Sequence, residues 1–159
     1  MSDLRLGSRE SLAHDATFAV LDLEFTGLDP VRDRVCEIAI ARVRGGEVLD
    51  RWSTLVAPGV RMSIPSIRIT GLTDSLLHEA PPFAEVADEV LARLAGAVPV
   101  SHNIPTGWGF LQREFHRLGR PLPPPDPAVD TLLWARRLFC FPRNNLVEVC
   151  QRLGLAGPG

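Results

Sequence analysis

The order of its elements, β-β-β-α-β-α-β-α-α, predicts an α/β protein built on one mixed sheet. A three-strand antiparallel meander comes first, parallel strands follow, and helices pack on both faces. Three observations carry this prediction. Phe18-Ala19-Val20-Leu21 is an apolar run with the length and bounding of a short core strand. Gly45-Gly46 joins two further strand-like segments as a hairpin turn. From Phe83 onward, helical and extended patterns alternate.

After the first strand, Gly27 to Arg34 (GLDPVRDR) is a loop rich in turn residues. Val35 to Val43 is apolar at alternate positions and reads as the second strand. The glycine pair turns it into a third, Glu47 to Val56, which Pro58 and Gly59 end. Residues 60–80 are loop-rich, with short helical pieces around Pro65-Ser66-Ile67 and Thr73 to Leu77. Phe83, Val86, Ala87, Val90, Leu91 and Leu94 recur at helical spacing and mark the clearest amphipathic helix. Gly96 stops it, and Ala97 to Ser101 is a short apolar strand. A second helix is expected from Gly107 to Leu118, with Trp108, Leu111, Phe115 and Leu118 on its inner face. Gly119 to Pro127 (GRPLPPPDP) is a stiff connector. Ala128-Val129 is a brief strand, and Asp130 is placed to cap a helix from Thr131 to Phe139. A last helix, Asn145 to Leu153, is expected to bury Leu146, Val149, Cys150 and Leu153. In this arrangement the first strand is central and its carboxylates lie at the C-terminal edge of the sheet.

The 159 residues suffice for one domain with its own core. We expect a polar leader at residues 1–15, the domain over 16–156 and a tail at 157–159. No apolar stretch approaches a bilayer span, and the first residues lack a signal-peptide core, so the expectation is a cytoplasmic protein with no membrane partner. Cys36, Cys140 and Cys150 are odd in number and lack metal-ligand spacing, which leaves them as small core residues. The net charge of −2 does not advertise a nucleic-acid binder, nor does it exclude one, because an acidic site offsets a local arginine surface. Every basic side chain is arginine.

The residues richest in chemistry are Asp22 and Glu24. Side chains alternate along a strand, so a spacing of two aims both carboxylates at one face. Two acids on an otherwise apolar strand are costly to bury unless a cation offsets them. Carboxylate oxygen suits hard ions such as Mg²⁺ and Mn²⁺. Two solvated acids at a strand end are the simpler alternative. Thr26-Gly27 follows at once, a turn where backbone can approach a ligand closely.

Further stretches fall into one ordered pattern with this pair. They are Asp22 to Leu28 (DLEFTGL), Arg34 to Ile40 (RVCEIAI), Ile69 to Asp74 (ITGLTD), Ala80 to Phe83 (APPF), Ser101-His102-Asn103, and Val129-Asp130-Thr131-Leu132 leading to Ala135 to Phe139 (ARRLF). In this order and register, the chain over residues 16 to 156 resembles the DEDD 3′–5′ exonucleases. The similarity is to their histidine branch, which includes the proofreading subunit of bacterial replicative polymerases. The resemblance implies a ribonuclease-H-like fold and hydrolysis of nucleotides from a 3′ end with two divalent ions, Mg²⁺ or Mn²⁺. It makes Asp22 and Glu24 the catalytic metal ligands. Thr26 and Gly27 would present backbone or hydroxyl to the terminal sugar, Leu28 would wedge against the last base, and Asn103 would help fix the loop facing the site. For Leu28 the alternative is an ordinary half-buried loop residue, and for His102 and Asn103 it is plain hydrogen bonding of a strand end. The implied partners are a single-stranded nucleic-acid 3′ end and a DNA polymerase.

The sequence also departs from the family pattern. After His102-Asn103, Thr106 stands where the family has Phe, and Gly107 where it has a catalytic Asp. The family's third motif, a general-base His and a final Asp, is not found before Gly159, so the domain reads as truncated ahead of it. Losing a general base costs about 10²–10⁴ in rate. The expectation is therefore an exonuclease-family domain with impaired hydrolysis that holds one metal ion or none well. The alternative is a non-catalytic module that binds nucleic acid or docks on a polymerase. Asp126 and Asp130 lie near the following strand, but Asp130 already has a role as a helix cap. His14, His78 and His116 fall in the leader, a loop and a helix surface and are not expected to act as the base. Arg113, Arg117 and Arg120 form either a phosphate-binding stripe or a solvated helix face.

Overall fold

The computed structural model describes residues 13–156. Most of the leader and the tail at 157–159 lie outside the described residues. The sheet has five strands: β1 (Thr17–Phe25), β2 (Val35–Arg44), β3 (Glu47–Leu55), β4 (Val98–Ser101) and β5 (Val129–Asp130). Their order is β3-β2-β1-β4-β5. β1 is central, antiparallel to β2 and parallel to β4; β2 and β3 pair antiparallel, β4 and β5 parallel. This is the meander-then-parallel sheet that the element order predicts. Six helices follow β3: α1 (Ile64–Thr70), α2 (Asp74–His78), α3 (Phe83–Leu94), α4 (Ile104–Arg117), α5 (Thr131–Leu138) and α6 (Leu146–Arg152). Among the described residues no helix is long and apolar enough to cross a membrane.

The core lies on one face of the sheet. Leu21 and Leu23 of β1 align with Ile40 and Ile38 of β2, and this row, with Ala19, meets Phe83, Val86, Ala87 and Val90 of α3 and Trp108, Phe110, Leu111 and Phe115 of α4. Burying each of the larger side chains contributes roughly 1.5–3 kcal/mol. The α3 stripe spans the predicted residues because its apolar spacing matches the helical period without interruption. Arg42 ties the C-terminus of α3 to the sheet, its Nη1 donating to the carbonyls of Ala92, Arg93 and Ala95 at 3.1–3.3 Å.

Several expectations need correction. α4 begins at Ile104, a turn before Gly107, because Pro105 sits in the first turn, where its missing N–H has no helical partner to lose. Asn103, just ahead of it, takes a left-handed conformation with φ 86°. Among the cysteines only Cys36 is a core residue; Cys140 is exposed and Cys150 half-buried. α6 is two turns long and buries Val149 alone, so Leu153 remains 43% exposed. Asp130 does cap α5, its carboxylate accepting from the Leu132 and Leu133 amides at 2.9 and 3.1 Å.

Candidate functional site

The alternation of β1 sends Ala19, Leu21 and Leu23 to the core and Val20, Asp22 and Glu24 to the opposite face. There Asp22 is exposed and Glu24 half-buried. Antiparallel register sets Glu24 against Glu37 and Asp22 against Ala39. Glu37 thus joins the acid pair on the same face, a neighbour that sequence reasoning missed. Its only local signal is a lone acid within the alternating apolar segment Val35 to Ile40. Beside the acids lies a shallow concavity of about 350 Å³ lined by Val20, Asp22, Ala39, Ala41, Arg51 and Ser53.

Burial raises the Glu24 carboxyl above its ordinary value, and the charges of Asp22 and then Glu37 push it further up. No ion pair to Asp22 or Glu24 forms among the described residues. Burial also pushes the Cys36 thiol up to about 12, with Glu24 and Glu37 adding to it, which leaves that thiol without nucleophilic character. The Glu24 shift has a consequence for stability. A carboxyl whose folded pKa exceeds its unfolded pKa binds protons more tightly when folded, so its ionisation opposes folding as pH rises through that range. Glu24→Gln is therefore expected to be more stable than the parent at pH 7 without added cation. The difference should vanish below the carboxylate range, near about pH 4. Thermal melts at the two pH values check this; a variant less stable than the parent at pH 7 contradicts it.

Past the end of β1 the chain builds a tied loop. Thr26 is fully buried, and all of its polar groups are used within the protein. Its amide donates to the Arg34 carbonyl at 2.9 Å, and its carbonyl accepts from the Ser63 amide at 2.8 Å. The Thr26 hydroxyl donates to Asp33 Oδ1 at 3.1 Å and accepts from the Arg34 amide at 3.0 Å. The Asp33 carboxylate also accepts from the Asp29 amide at 2.8 Å. This corrects the reading of Thr26 as a group presented to a sugar: its polar atoms hold the loop together. Gly27 is needed for a close approach, but the approaching group is Asp33, whose carboxylate atoms would lie 2.4–2.6 Å from a Cβ at this position. Leu28, at the tip, is 90% exposed, so it is not the half-buried loop residue of the simpler alternative.

On the other side of the site, β4 ends in Ser101, and His102 is held by Thr131 Oγ1 at 3.0 Å and by the Asn144 carbonyl at 2.7 Å. The Asn103 amide donates to Asp130 Oδ1 at 3.2 Å, and its side chain makes no cap bond to α4. Asp130 thus serves three amides and is committed to structure. Of the arginine stripe, Arg117 is tied to Glu114 and Arg120 makes a solvated pair with Asp88, while Arg113 makes no ion pair among the described residues. Gly107 lies in the first turns of α4, with Leu23 Cδ1 and Ser101 Oγ the nearest atoms to a Cβ built there, at 3.5 and 3.9 Å.

The donor set decides what the site can hold. Asp22 and Glu24 offer oxygens and are uncompensated, which favours a hard divalent ion. Gly107 offers none, and among the described residues no group of three His, Cys, Asp or Glu side chains is arranged to hold a metal. The residues present therefore do not fit a two-metal centre.

Sheet order and strand directions define a ribonuclease-H-like fold. The chain belongs to the exonuclease family, whose sequence pattern it matches over residues 19–159, and within it the resemblance to the DEDD 3′–5′ enzymes holds. A family of this kind generally uses divalent metal ions. The PolC-type DNA polymerase III of Thermotoga maritima is 36% identical over 151 residues, 95% of this chain and 11% of the polymerase. That of Bacillus subtilis is 30% identical over 145 residues, 91% of the chain and 10% of the polymerase. The chain thus spans about a tenth of the length of these relatives. Two solved structures share its fold. The nuclease domain of 3′hExo, a DEDDh family member bound to rAMP, superposes with a TM-score of 0.74 at 17% identity, over 92% of this chain and 83% of that one. Product-bound exonuclease I gives 0.79 at 16% identity, over 89% and 39%.

Proposed function

We propose that this domain binds the 3′ end of a single-stranded nucleic acid at the C-terminal edge of β1 and is impaired in cleaving it. Asp22 and Glu24 hold at most one divalent ion there, Mg²⁺ or Mn²⁺. Leu28 offers an apolar surface to the terminal base, and Gly27 and Asn103 line the approach. The observation that carries this reading is Gly107, which offers no ligand from the helix, so that no group of three donors is arranged to hold a metal among the described residues. A bound divalent ion would supply Lewis acidity at the phosphate. The chain's own residues would place the strand end and hold the ion. The polymerase relatives make a DNA polymerase the proposed protein partner.

Calorimetric titration with Mn²⁺ tests the site, and a 5′-labelled single strand tests the chemistry. We expect weak binding of one ion, lost in Asp22→Ala, with little or no shortening of the strand from its 3′ end. Shortening that disappears in Asp22→Ala would overturn the impaired reading. Absence of any ion binding would remove the residual metal site.

A further inference from the structure

Glu114 is 1% exposed, and every polar contact it makes leads to one loop. Its Oε1 accepts from Arg34 Nε at 2.7 Å and from the Val35 amide at 3.2 Å, and its Oε2 accepts from Arg34 Nη2 at 2.7 Å. Arg117, one turn on, lies 3.3 Å from the same carboxylate and donates to the carbonyl of Val31 at 3.0 Å and of Pro30 at 3.5 Å. Arg34 is also the far end of the tied loop, closing on Thr26 through both of its backbone groups. Helix α4 therefore grips the loop at its neck and along its crown. What the grip presents is Leu28, directly beyond the strand that carries Asp22 and Glu24. A buried ion pair is a poor way to add stability, since apolar residues of the same volume often do as well or better; its best-attested use is to fix one arrangement against alternatives.

We propose that Glu114, Arg34 and Arg117 form a positioning unit that sets the loop 26–34 for recognition of a strand's 3′ terminus, as distinct from binding along its length. The unit acts through Leu28 and the Gly27 backbone, and the inference rests on the 3′-end reading above. With Gly107 in place of a ligand, holding this loop is the contribution α4 makes to the site.

The test compares two probes of one sequence: a linear single strand with a free 3′ hydroxyl and the same strand circularised. Affinities are measured by fluorescence anisotropy in Mn²⁺, and their ratio reports recognition of the end. Glu114→Gln would leave two guanidinium groups facing an uncharged buried group, so the variants are Arg34→Lys and Arg117→Ala, each of which keeps a cation beside Glu114. Each is expected to lower the linear-to-circular preference about tenfold, the worth of one charge-assisted hydrogen bond, with affinity for the circle held within about twofold. Amide hydrogen exchange at Asp29 and Asp33 should speed up in both. A parent that prefers the linear strand, with variants that keep its preference, would make the unit a plain structural brace and overturn the inference while leaving the 3′-end reading in place. A parent that binds circle and linear strand equally would overturn the 3′-end reading, and the inference with it.

Discussion

Alanine in place of Glu114 is expected to lower the folding stability of the chain by about 3 kcal/mol, the low end of the range for breaking a buried ion pair. The parent carboxylate accepts three hydrogen bonds at 2.7–3.2 Å from Arg34 and the Val35 amide, and all three vanish with it. The low end applies because Arg34 and Arg117 are 25% and 29% exposed, so both guanidinium groups can recover some hydration once unpaired. The same contacts hold the Arg34 guanidinium above its ordinary value, consistent with a fixed and attractive geometry. A surface pair makes the contrast. Arg120→Ala removes the contact with Asp88, which is 85% exposed, and is expected to change stability by less than about 1 kcal/mol. Urea melts check both: the Glu114→Ala midpoint should fall with little change in slope. Equal effects of the two substitutions would show that the buried carboxylate is no stronger an anchor than a solvated one.

The parts of this fold that the sequence reveals are those set by local periodicity. The α3 stripe, the glycine-pair hairpin and the Asp130 cap each need only a short window of chain, and each stands where the pattern puts it. The start of α4 was less legible because Pro105 and the left-handed Asn103 resemble loop residues, although proline is at home in a first helical turn. The site divides in the same way. The shared face of Asp22 and Glu24 follows from strand alternation, whereas Glu37 joins them only through pairing register. The Thr26 hydroxyl is used by Asp33, a few positions along the chain, and the same carboxylate is what requires glycine at position 27. The bond from Glu114 to Arg34 spans 80 residues, and one sequence offers no periodic signal for such a contact. Glu114 does sit one turn beyond the buried Phe110 and beside Phe115, an apolar setting that an unpaired acid would avoid.

Gly107→Asp is expected to tighten Mn²⁺ binding by about tenfold or more, a net gain of about 1.4 kcal/mol. The backbone accepts the change: a Cβ there meets Leu23 Cδ1 at 3.5 Å and Ser101 Oγ at 3.9 Å, both ordinary contacts. The direction of the new carboxylate follows from volume. Leu21, Leu23, Ser101, Ile104, Trp108 and Leu111 line the space beneath Gly107, a cavity of about 10 Å³. That is about the room of one water-sized probe, too little for a carboxylate, and its lining is mostly apolar. An aspartate rotamer that enters it would bury an unpaired charge, so the side chain is driven outward, toward the edge where β1 and β4 end. At that edge it adds negative charge near the end of the strand where Glu24 already ionises against Asp22 and Glu37. Without cation that crowding opposes folding, and with Mn²⁺ the same charges become ligands. Near a protein surface, unit charges 4 Å apart interact by about 4 kcal/mol, most of which desolvation cancels. Two measurements check the argument together. Calorimetry should show the tighter ion, and the melting temperature of Gly107→Asp should rise with Mn²⁺ more steeply than that of the parent, because a ligand that binds only the folded chain stabilises it by RT ln(1 + [L]/Kd), which grows as Kd falls. Unchanged affinity in a variant less stable than the parent would place the carboxylate in the apolar cavity, out of reach of the acid pair.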